Sequence, residues 1–447
     1  MCVEGVCVPR RRQRGAETHI KSRPSRSCSR EDNRAFACQY QKVYIAVGRG
    51  MRFLSGSEIR IRQQATDRMP QQKRIWASGF NAFHQLSDQQ DGDIWDFQPF
   101  EIGSVSNQAP EDDIGFLYST WSSTAIVYGS RLYSKGFQSF VADVPALAVG
   151  EATLCSPFGD HNGLIGCLDS EGRVYFLTDS PEADKKSAPL VCSHDQDSPL
   201  LSHLALAGNG RVAVSFKQAP NASLTHIVEF ADLTSFANWH EDPSNAAYYP
   251  AAHHMLPGRP KQLLANAANF VLLMESGEVY TWGDPRFRTL ARSTVGPEAA
   301  AAADKPGLVE ALGGLNIVSV QCGPGVGWLA SALSEDGALY LWGTTTPGED
   351  GGTMRCLQEA GAGEVALVDI LPSPESEPAD IISAGIGRNH IAVVTDAGQV
   401  FVVGDNSNGQ LGLGREQLFV EEWTQVPSLH GVSRVIAGPK ATFAFEG

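Results

Sequence analysis

The chain has 447 residues, of which 42% are hydrophobic, and its formal net charge is −15. It contains no run of about 18 apolar residues, so we expect no transmembrane helix. None of the nine cysteines forms a C-x-x-C pair, which argues against a zinc site, and their scattered positions are typical of free thiols in a reducing compartment.

The charge is unevenly distributed along the chain. Residues 1–72 carry 15 Lys and Arg against 6 Asp and Glu, which leaves 20 against 44 in the remainder. The basic segment has little apolar alternation, so we predict a disordered tail. The remainder, with a net charge of −24, should repel nucleic acid and anionic membranes and attract a basic partner.

Two interpretations of the basic segment stay open. Its clusters PRRRQR (9–14) and KSRPSRSCSR (21–30) are compatible with a nuclear-localisation patch. Alternatively, the segment is not part of the natural fold, and Met69, close to the first strand-like stretch, is the functional start. A mitochondrial presequence fits less well, because acidic residues interrupt the segment.

From residue 72 onwards, a polar turn followed by an alternating apolar strand recurs seven times. The copies are QKRIWASGF (72–80), YGSRLYSKGF (128–137), SEGRVYFLTD (170–179), GNGRVAVSFK (208–217), ESGEVYTWGD (275–284), EDGALYLWGT (335–344) and DAGQVFVVGD (396–405). A recurring interval of about 40–65 residues indicates a repeat architecture. Further short strands precede the copies, so each unit offers three or four antiparallel strands, which favours a β-propeller over a solenoid.

The last unit is incomplete in the sequence. Residues 432–447 hold the first two strands of a unit, and KRIWASG at 73–79 is the missing third strand. Joining the two chain ends closes the ring and removes exposed strand edges. The sequence therefore predicts an all-β fold over residues 73–447, a seven-bladed β-propeller of antiparallel blades whose last blade is closed by the N- and C-terminal strands.

The stretch GDNSNGQLGLG at 404–414 resembles the hallmark of the regulator of chromosome condensation repeat, in which Asn-x-x-Gly-Gln-Leu-Gly follows a strand. Upstream, AGIGRNHIAVVTDAG (384–398) is similar to the companion Gly-x-x-His-x-x-x-Leu-x-x-x-Gly element, with Val394 in place of Leu. Other blades keep Trp-Gly, and SGFNAFHQL (78–86) keeps Gly, Asn and Gln-Leu, with Phe83-His84 in place of the usual aromatic-Gly. We expect a divergent, fungal-like member of that family.

The resemblance implies that these glycines are architectural and do not cradle a phosphate. Gly409 and Gly412 would take positive φ or allow close backbone approach, Asn406 and Gln410 would satisfy the turn, and Leu411 would pack between blades. No good helix candidate follows the loop, as a phosphate site would need. The predicted structural repeat residues are Gly79, Asn81, Gln85, Leu86, Trp282, Gly283, Trp342, Gly343, Gly385, His390, Gly398, Gly404, Asn406, Gly409, Gln410, Leu411 and Gly412.

No catalytic, cofactor-binding or metal-binding constellation is recognised in the sequence, and no partner-binding residue is identified. His253 and His254 are expected in an exposed loop between blades, and His390 is expected to have a structural role. Residues 180–200, 240–260, 290–312 and 346–380 are rich in Pro, Ala, Ser and acids. We expect them to be surface connections between blades that could carry recognition.

The function most consistent with the sequence is that of a non-enzymatic, monomeric protein-interaction scaffold or regulatory adaptor in the cytoplasm or nucleus. It would use no cofactor and have a protein partner, with no nucleic acid or membrane bound by the propeller itself. The alternative is a guanine-nucleotide exchange factor for a small GTPase, because some members of the resembling family have this activity. A propeller hydrolase or lectin is a third possibility, but no carboxylate pair marks such a site.

Overall fold

Seven four-stranded antiparallel sheets make up the fold. The structure is a computed structural model. It describes residues 74–101, 114–128, 131–137, 139–143, 154–177, 190–192, 198–219, 221–296, 299, 301–325, 327–345, 353–358, 365–373 and 375–447. The prediction for the basic segment 1–72 lies outside these residues. Within the described ranges, no helix has the length and apolar character needed to cross a membrane.

Each sheet is one blade, and the strands are numbered in chain order. Ile75–Gly79 (β1) and Ile94–Pro99 (β2) belong to the last blade, blade 7. Blade 1 contains Ile114–Ser119 (β3), Ser123–Tyr128 (β4), Arg131–Gly136 (β5) and Phe140–Asp143 (β6), and blade 2 contains Leu154–Gly159 (β7), Leu164–Asp169 (β8), Val174–Leu177 (β9) and Leu190–Cys192 (β10). Blade 3 contains Leu201–Leu206 (β11), Val212–Phe216 (β12), Leu224–Phe230 (β13) and Ala252–Pro257 (β14).

The remaining blades follow the same plan. Blade 4 contains Pro260–Ala265 (β15), Asn269–Met274 (β16), Val279–Gly283 (β17) and Gly307–Leu308 (β18), and blade 5 contains Ile317–Cys322 (β19), Ala330–Ser334 (β20), Leu339–Trp342 (β21) and Ala366–Val368 (β22). Blade 6 contains Ile381–Ile386 (β23), His390–Thr395 (β24), Val400–Asp405 (β25) and Phe419–Gln425 (β26). Blade 7 adds Val432–Ala437 (β27) and Ala441–Glu446 (β28) to β1 and β2.

Blade 7 joins the two ends of the propeller. Its strand order is β2-β1-β28-β27, and the β1–β28 register runs from Ile75↔Phe445 to Gly79↔Ala441. The seven-bladed fold with a shared terminal blade is therefore confirmed. β1 is the third strand of this blade, and β2 adds a fourth strand at its outer edge.

A β-bulge recurs at the start of the innermost strand of every blade. The register shifts lie between Ile114/Phe116, Leu154/Ser156, Leu201/His203, Pro260/Gln262, Ile317/Ser319, Ile381/Ser383 and Val432/Arg434. A bulge places two residues opposite one and increases the local twist of the strand. The seven innermost strands, which line a central channel, therefore bend in the same way around it.

The hydrophobic core of the described residues is divided into seven clusters that lie between adjacent blades. Between blades 6 and 7, for example, Leu411, Val402 and Ala444 pack together and are all fully buried. Burying a Leu or Val side chain stabilises a fold by about 1.5–3 kcal/mol. Because each blade buries its two faces only against its neighbours, the ring of blades is the stable unit.

The structure shows that one of the seven predicted repeat copies is not a third strand. The strand at 208–217 is β12, the second strand of blade 3, and the third strand is β13. The third strands of blades 2, 3 and 4 end at Leu177, Phe230 and Gly283, which are 53 residues apart in both intervals. The sequence pattern selected β12 because it also follows a polar turn and alternates, whereas β13 ends without the glycine that closes most third strands.

The four segments expected to be connections between blades contain fourth strands. β10, β14, β18 and β22 lie within 180–200, 240–260, 290–312 and 346–380, respectively. These strands are short or lie at the outer edge of a blade, so their hydrophobic alternation is weak. Two helices, Leu233–Glu241 (α1) and Arg355–Gln358 (α2), also connect third to fourth strands. Asp232 caps α1 by accepting the backbone N–H of Ser235 at 2.7 Å.

The alternating strand direction creates two different faces of the propeller. The upper face carries the turns between first and second strands and the connections between third and fourth strands. The lower face carries the turns between second and third strands and the connections between blades. The repeat loop at 405–414 and the loop at 80–93 both lie on the upper face.

Candidate protein-binding face

The loop at 405–414 is held by buried amide side chains. Asn406 is fully buried, and its side-chain NH₂ donates to two carbonyls later in the chain, at 2.9 and 2.7 Å. Its side-chain oxygen accepts the backbone N–H of Leu411 at 2.9 Å. Gln410 Oε1 accepts the backbone N–H of Asn408 at 2.9 Å. Both amides satisfy backbone groups of the loop, so they define its shape.

Glycines allow the same loop to lie directly against blade 7. Gly409 and Gly412 have φ angles of 83° and 66°. A Cβ atom on Gly409 would come within 2.4 Å of the carbonyl oxygen of Ile94, and one on Gly412 would come within 2.3 Å of the Phe97 ring. Since Leu411 is buried between blades 6 and 7, the loop ties the last complete blade to the shared terminal blade.

The loop that follows β1 repeats this arrangement between blades 7 and 1. Asn81 Oδ1 accepts the backbone N–H of Leu86 at 2.9 Å, and Leu86 is buried. Gln85 Nε2 donates to the carbonyl of Trp121 in blade 1 at 2.8 Å. His84 has a positive φ of 57° where the blade 6 loop has glycine. The second loop therefore keeps the backbone geometry of the first without its glycine.

Third strands in five blades have a glycine with φ between 98° and 130° at their last residue or next to it. These residues are Gly79, Gly136, Gly283, Gly343 and Gly404. A Cβ atom at any of them would lie 2.0–2.4 Å from a carbonyl oxygen next to the start of the second strand. Only glycine combines this conformation with this close approach. Gly136 does not belong to the predicted set, and the other four do.

The two Trp-Gly tryptophans connect each blade to the preceding one. Trp282 and Trp342 are almost completely buried. Trp282 Nε1 donates to Glu229 Oε1 in blade 3 at 2.7 Å, and Trp342 Nε1 donates to the carbonyl of Thr289 at 3.1 Å. Each indole thus satisfies its single donor while filling the space between two blades.

His390 occupies the interface between blades 6 and 7. Its Nε2 lies 3.1 Å from Thr442 Oγ1, and that hydroxyl donates to the carbonyl of Gln410 at 2.6 Å. Burial lowers the pKa of His390 from 6.5 to about 4. A Cβ atom on Gly387 would lie 2.1 Å from the His390 ring, whereas one on Gly385 would lie 2.9 Å from a backbone nitrogen of blade 7. The histidine is therefore a neutral interblade group.

The predicted repeat residues do not converge on one site. They are spread over blades 4 to 7, and Gly398, with a φ of 71°, lies in a turn on the lower face. Most of their side chains point into contacts between blades and are buried. Their geometry is that of an architectural set.

His253 and His254 lie on β14, so the expectation of a loop is wrong, although His253 is exposed as expected and His254 is half-buried. His254 Nε2 lies 2.6 Å from Oε1 of Glu229, which is 1% exposed and also pairs with Arg211. His253 Nδ1 lies 3.0 Å from Nε2 of His226 on the neighbouring strand. In the sequence, the surrounding Pro, Ala and Tyr residues are typical of a loop. The structure shows that β14 is an edge strand, whose side chains point alternately to solvent and into the blade.

A group of four aromatic side chains, the aromatic patch, lies on the upper face between blades 7 and 1. Its members are Phe80, Phe83, Trp121 and Phe137. The Phe83 ring lies 5.1 Å from Trp121 and 6.1 Å from Phe137, both edge to face, and Phe80 stacks on Trp121 at 6.3 Å. Trp121 is 38% exposed and Phe137 is 69% exposed. Clustered exposed aromatic side chains are typical of protein interfaces.

A pocket of about 300 Å³, the mouth pocket, lies beside this patch. Turns between first and second strands from five blades surround it at the upper end of the central channel. Its lining includes Trp121, Asp160, His161, Pro324, Arg388 and Lys440. Trp121 therefore belongs to both the aromatic patch and the mouth pocket.

No residue of either feature was predicted from the sequence as a site. Two signals in the sequence point to the patch: the Phe83-His84 departure from the usual aromatic-Gly, and Trp121 in the polar turn STWSS. No local signal points to the pocket, because its residues come from turns that are distant in the chain. In the described ranges, no group of three or more His, Cys, Asp or Glu residues could hold a metal ion.

Comparison with known proteins identifies the repeat. The family described as Regulator of chromosome condensation (RCC1) repeat matches residues 381–410, from β23 into the loop after β25. RCC1 domain-containing protein 1 from mouse is 31% identical over 181 residues, which are 34% of this chain and 46% of that protein. The human protein of the same name is 28% identical over 251 residues, which are 48% of this chain and 62% of that protein.

The chain thus matches about half the length of these two relatives. The crystal structure of Prp20p from Saccharomyces cerevisiae, described together with its binding properties to Gsp1p and histones, has the same fold. The two structures superpose with a TM-score of 0.56 at 14% identity, over 84% of this chain and 92% of that one. The resemblance seen in the sequence is confirmed by the matching repeat and by the shared propeller fold.

Proposed function

We propose that this seven-bladed propeller of the regulator of chromosome condensation type is a non-enzymatic interaction scaffold or regulatory adaptor, which binds a partner protein with its upper face. The observation that carries the proposal is the aromatic patch. Trp121 and Phe137 expose 38% and 69% of their surfaces beside Phe83. Large aromatic side chains that are partly packed and partly exposed supply contact area at a low cost in conformational entropy.

The patch is held in place before any partner arrives. Gln85 is 1% exposed, donates to the carbonyl of Trp121 at 2.8 Å and accepts the backbone N–H of Phe83 at 3.0 Å. One buried side chain therefore fixes the backbone on both sides of the central ring contact. Preorganisation of this kind reduces the entropy lost on binding and strengthens an interface.

The comparisons support a protein as the partner. Prp20p, which has the same fold, is described with binding to Gsp1p and histones. We propose that the present chain likewise acts through protein partners, in the cytoplasm or nucleus, and without a cofactor. The acidic composition of residues 73–447 supports a partner protein over nucleic acid.

The test is affinity purification from native lysate with the full chain, using wild type and a Trp121→Ala/Phe137→Ala variant. We expect a partner that wild type retains and the variant loses, because the variant removes the two most exposed aromatic anchors. Leu224→Ala is the matched control, since Leu224 is 51% exposed and starts β13 on the lower face. It should retain the partner as wild type does.

The purification is repeated after chelation of magnesium. A partner retained equally in both conditions supports the scaffold function. Enrichment of one small GTPase only after chelation would instead identify an exchange factor, because such factors bind the nucleotide-free GTPase most tightly. Retention of every partner by the Trp121→Ala/Phe137→Ala variant would show that the upper-face patch is not the binding surface.

A further inference from the structure

We propose that the mouth pocket receives the carboxylate of an acidic peptide segment, while a neighbouring apolar side chain of that segment packs on the aromatic patch. This inference rests on the proposed function of the upper face, and it specifies the chemistry of the partner. The pocket, of about 300 Å³, has room for one or two side chains, so it fits a short extended segment.

Two cationic side chains of neighbouring blades meet at this pocket. Arg388 and Lys440 belong to the first-to-second strand turns of blades 6 and 7, and the backbone N–H of Arg388 donates to the Pro439 carbonyl at 3.3 Å. Lys440 Nζ lies 3.0 Å from Asn408 Oδ1 and 5.7 Å from the centre of the Phe80 ring. Among the described residues, its partners are therefore neutral, and its charge is available to an incoming carboxylate.

The acidic residue of the pocket is engaged by its own turn. Asp160 Oδ1 accepts the backbone N–H groups of Asn162 and Gly163 at 2.7 and 3.3 Å. A carboxylate that satisfies a turn in this way is oriented toward the backbone. Arg388 and Lys440 are the Arg and Lys side chains of the pocket lining, and they are the groups with which a ligand carboxylate would pair.

In the channel beneath the pocket, as in the pocket itself, basic side chains outnumber acidic ones among the lining residues. Its wall encloses about 1020 Å³, and the residues described along it include Lys261 and Arg434 but no Asp or Glu. Residues 73–447 as a whole carry 44 acidic against 20 basic side chains. Lys261 and Arg434 lie near the starts of β15 and β27, at the lower end of the channel, so the described wall adds no carboxylate beside the two cations of the mouth pocket. Within the mouth pocket, Arg388 and Lys440 against Asp160 favour an acidic segment, whereas the net charge of −24 on residues 73–447 favours basic partners elsewhere on the surface.

The position of Trp121 indicates which kind of residue should lie next to the acidic residue of the bound segment. It borders the mouth pocket and also contacts Phe80 and Phe83 in the aromatic patch. A residue next to the bound carboxylate would therefore lie over aromatic rings. The recognised segment should combine Asp or Glu with an adjacent Phe, Leu or Trp, because one site supplies the charge and the other the apolar surface.

The probe is a positional-scanning library of N-acetylated, C-amidated octapeptides, applied to the full chain in fluorescence-anisotropy assays. We expect wild type to prefer Asp or Glu at one position and an aromatic or large aliphatic residue beside it. Arg388→Ala/Lys440→Ala should lower the affinity for the best peptide about tenfold or more. It should remove the preference for an acidic residue and keep the preference for an apolar one. Trp121→Ala should remove the apolar preference and keep the acidic one. Lys217→Ala, which removes an exposed cation from the lower face, is the control and should change neither.

Absence of an acidic preference in wild type, or its persistence in Arg388→Ala/Lys440→Ala, would overturn the inference. Competition by inorganic phosphate, together with equal binding of acidic peptides that lack the apolar residue, would identify a simple anion site and also overturn it. If the library fails while the Trp121→Ala/Phe137→Ala variant still loses its lysate partner, the inference fails and the scaffold function stands. If the library behaves as expected while that variant keeps every partner, the scaffold function of the patch fails.

Discussion

At the scale of single residues, burial determines the ionisation of His390. Desolvation between blades 6 and 7 is the main cause that lowers its pKa from 6.5 to about 4. In the unfolded chain the imidazole is hydrated, and its pKa returns to the ordinary value. Below about pH 6.5 the unfolded chain therefore binds more protons than the folded one, so acid favours unfolding until the pH passes about 4.

We predict that His390→Gln reduces the acid sensitivity of the fold. Glutamine can still donate to Thr442, but it does not titrate. Between about pH 7.5 and about pH 4.5, wild type should lose about 2–3 kcal/mol more unfolding free energy than the variant. Urea unfolding at the two pH values measures the difference. Other histidines with lowered pKa values, such as His203 and His226, are present in both proteins and cancel. Identical pH dependence would contradict a neutral buried role for His390.

At the scale of elements, the loop at 405–414 shows why a glycine pattern is readable from sequence. Positive φ and close backbone approach are local demands, so glycines mark this loop in blade 6, whereas the equivalent loop at 80–93 has His84 at the position of Gly409. The fourth strands of the blades cannot be predicted from the sequence in this way. β18 has two residues and β22 has three, which is too short for alternation to stand out from a connection.

A comparison of Gly409 with Gly210 distinguishes two reasons why replacing a glycine lowers stability, namely positive φ and close contact with a neighbouring atom. Gly409 and Gly210 have similar φ angles of 83° and 89°, but a Cβ atom on Gly409 would meet Ile94, whereas one on Gly210 would meet nothing within 4 Å. Gly210→Ala should cost about 1–2 kcal/mol through φ alone. Gly409→Ala should cost about 1–3 kcal/mol more, because the loop must move away from β2.

Urea unfolding of both variants tests this comparison. Hydrogen exchange over β2 is a second measurement, since only Gly409→Ala should speed exchange there. Equal losses of stability in the two variants would show that contact with blade 7 contributes nothing to the need for glycine at position 409.

At the scale of the whole molecule, stability depends on the closure of the ring. Phe443 of β28 packs with Ile75 of β1 and, across to blade 1, with Leu117. A blade missing its third and fourth strands leaves this cluster and one edge of β28 open to water. Closure therefore joins the two ends of the chain into one cooperative unit.

We predict that a chain beginning at residue 102, which lacks β1 and β2, unfolds at a temperature lower by more than about 10 °C, because it loses several kcal/mol of buried apolar contact. A chain beginning at Met69 keeps both strands and is the matched control. It should retain the melting temperature of the full chain. Circular dichroism melting with size-exclusion chromatography provides the measurement, and equal melting of the two truncated chains would refute closure by these strands.

Local sequence patterns were sufficient to predict the blade count, six of the seven third strands and the joining of both ends in one blade. These features depend on alternation and on turn glycines, which are properties of short contiguous stretches. The exception, 208–217, shows the limit of that information, because a second strand and a third strand have the same local pattern. Only hydrogen-bonded partners distinguish β12 from β13.

The location of the surface chemistry, by contrast, depends on the folded ring. Trp121 and Lys440 are separated by most of the chain, yet they border one pocket because seven blades bring their innermost turns to the same end of the channel. Likewise, the fourth strands and the recurring bulges take their form from neighbouring strands. A ring of blades places distant residues side by side, and no local pattern encodes which turns will meet.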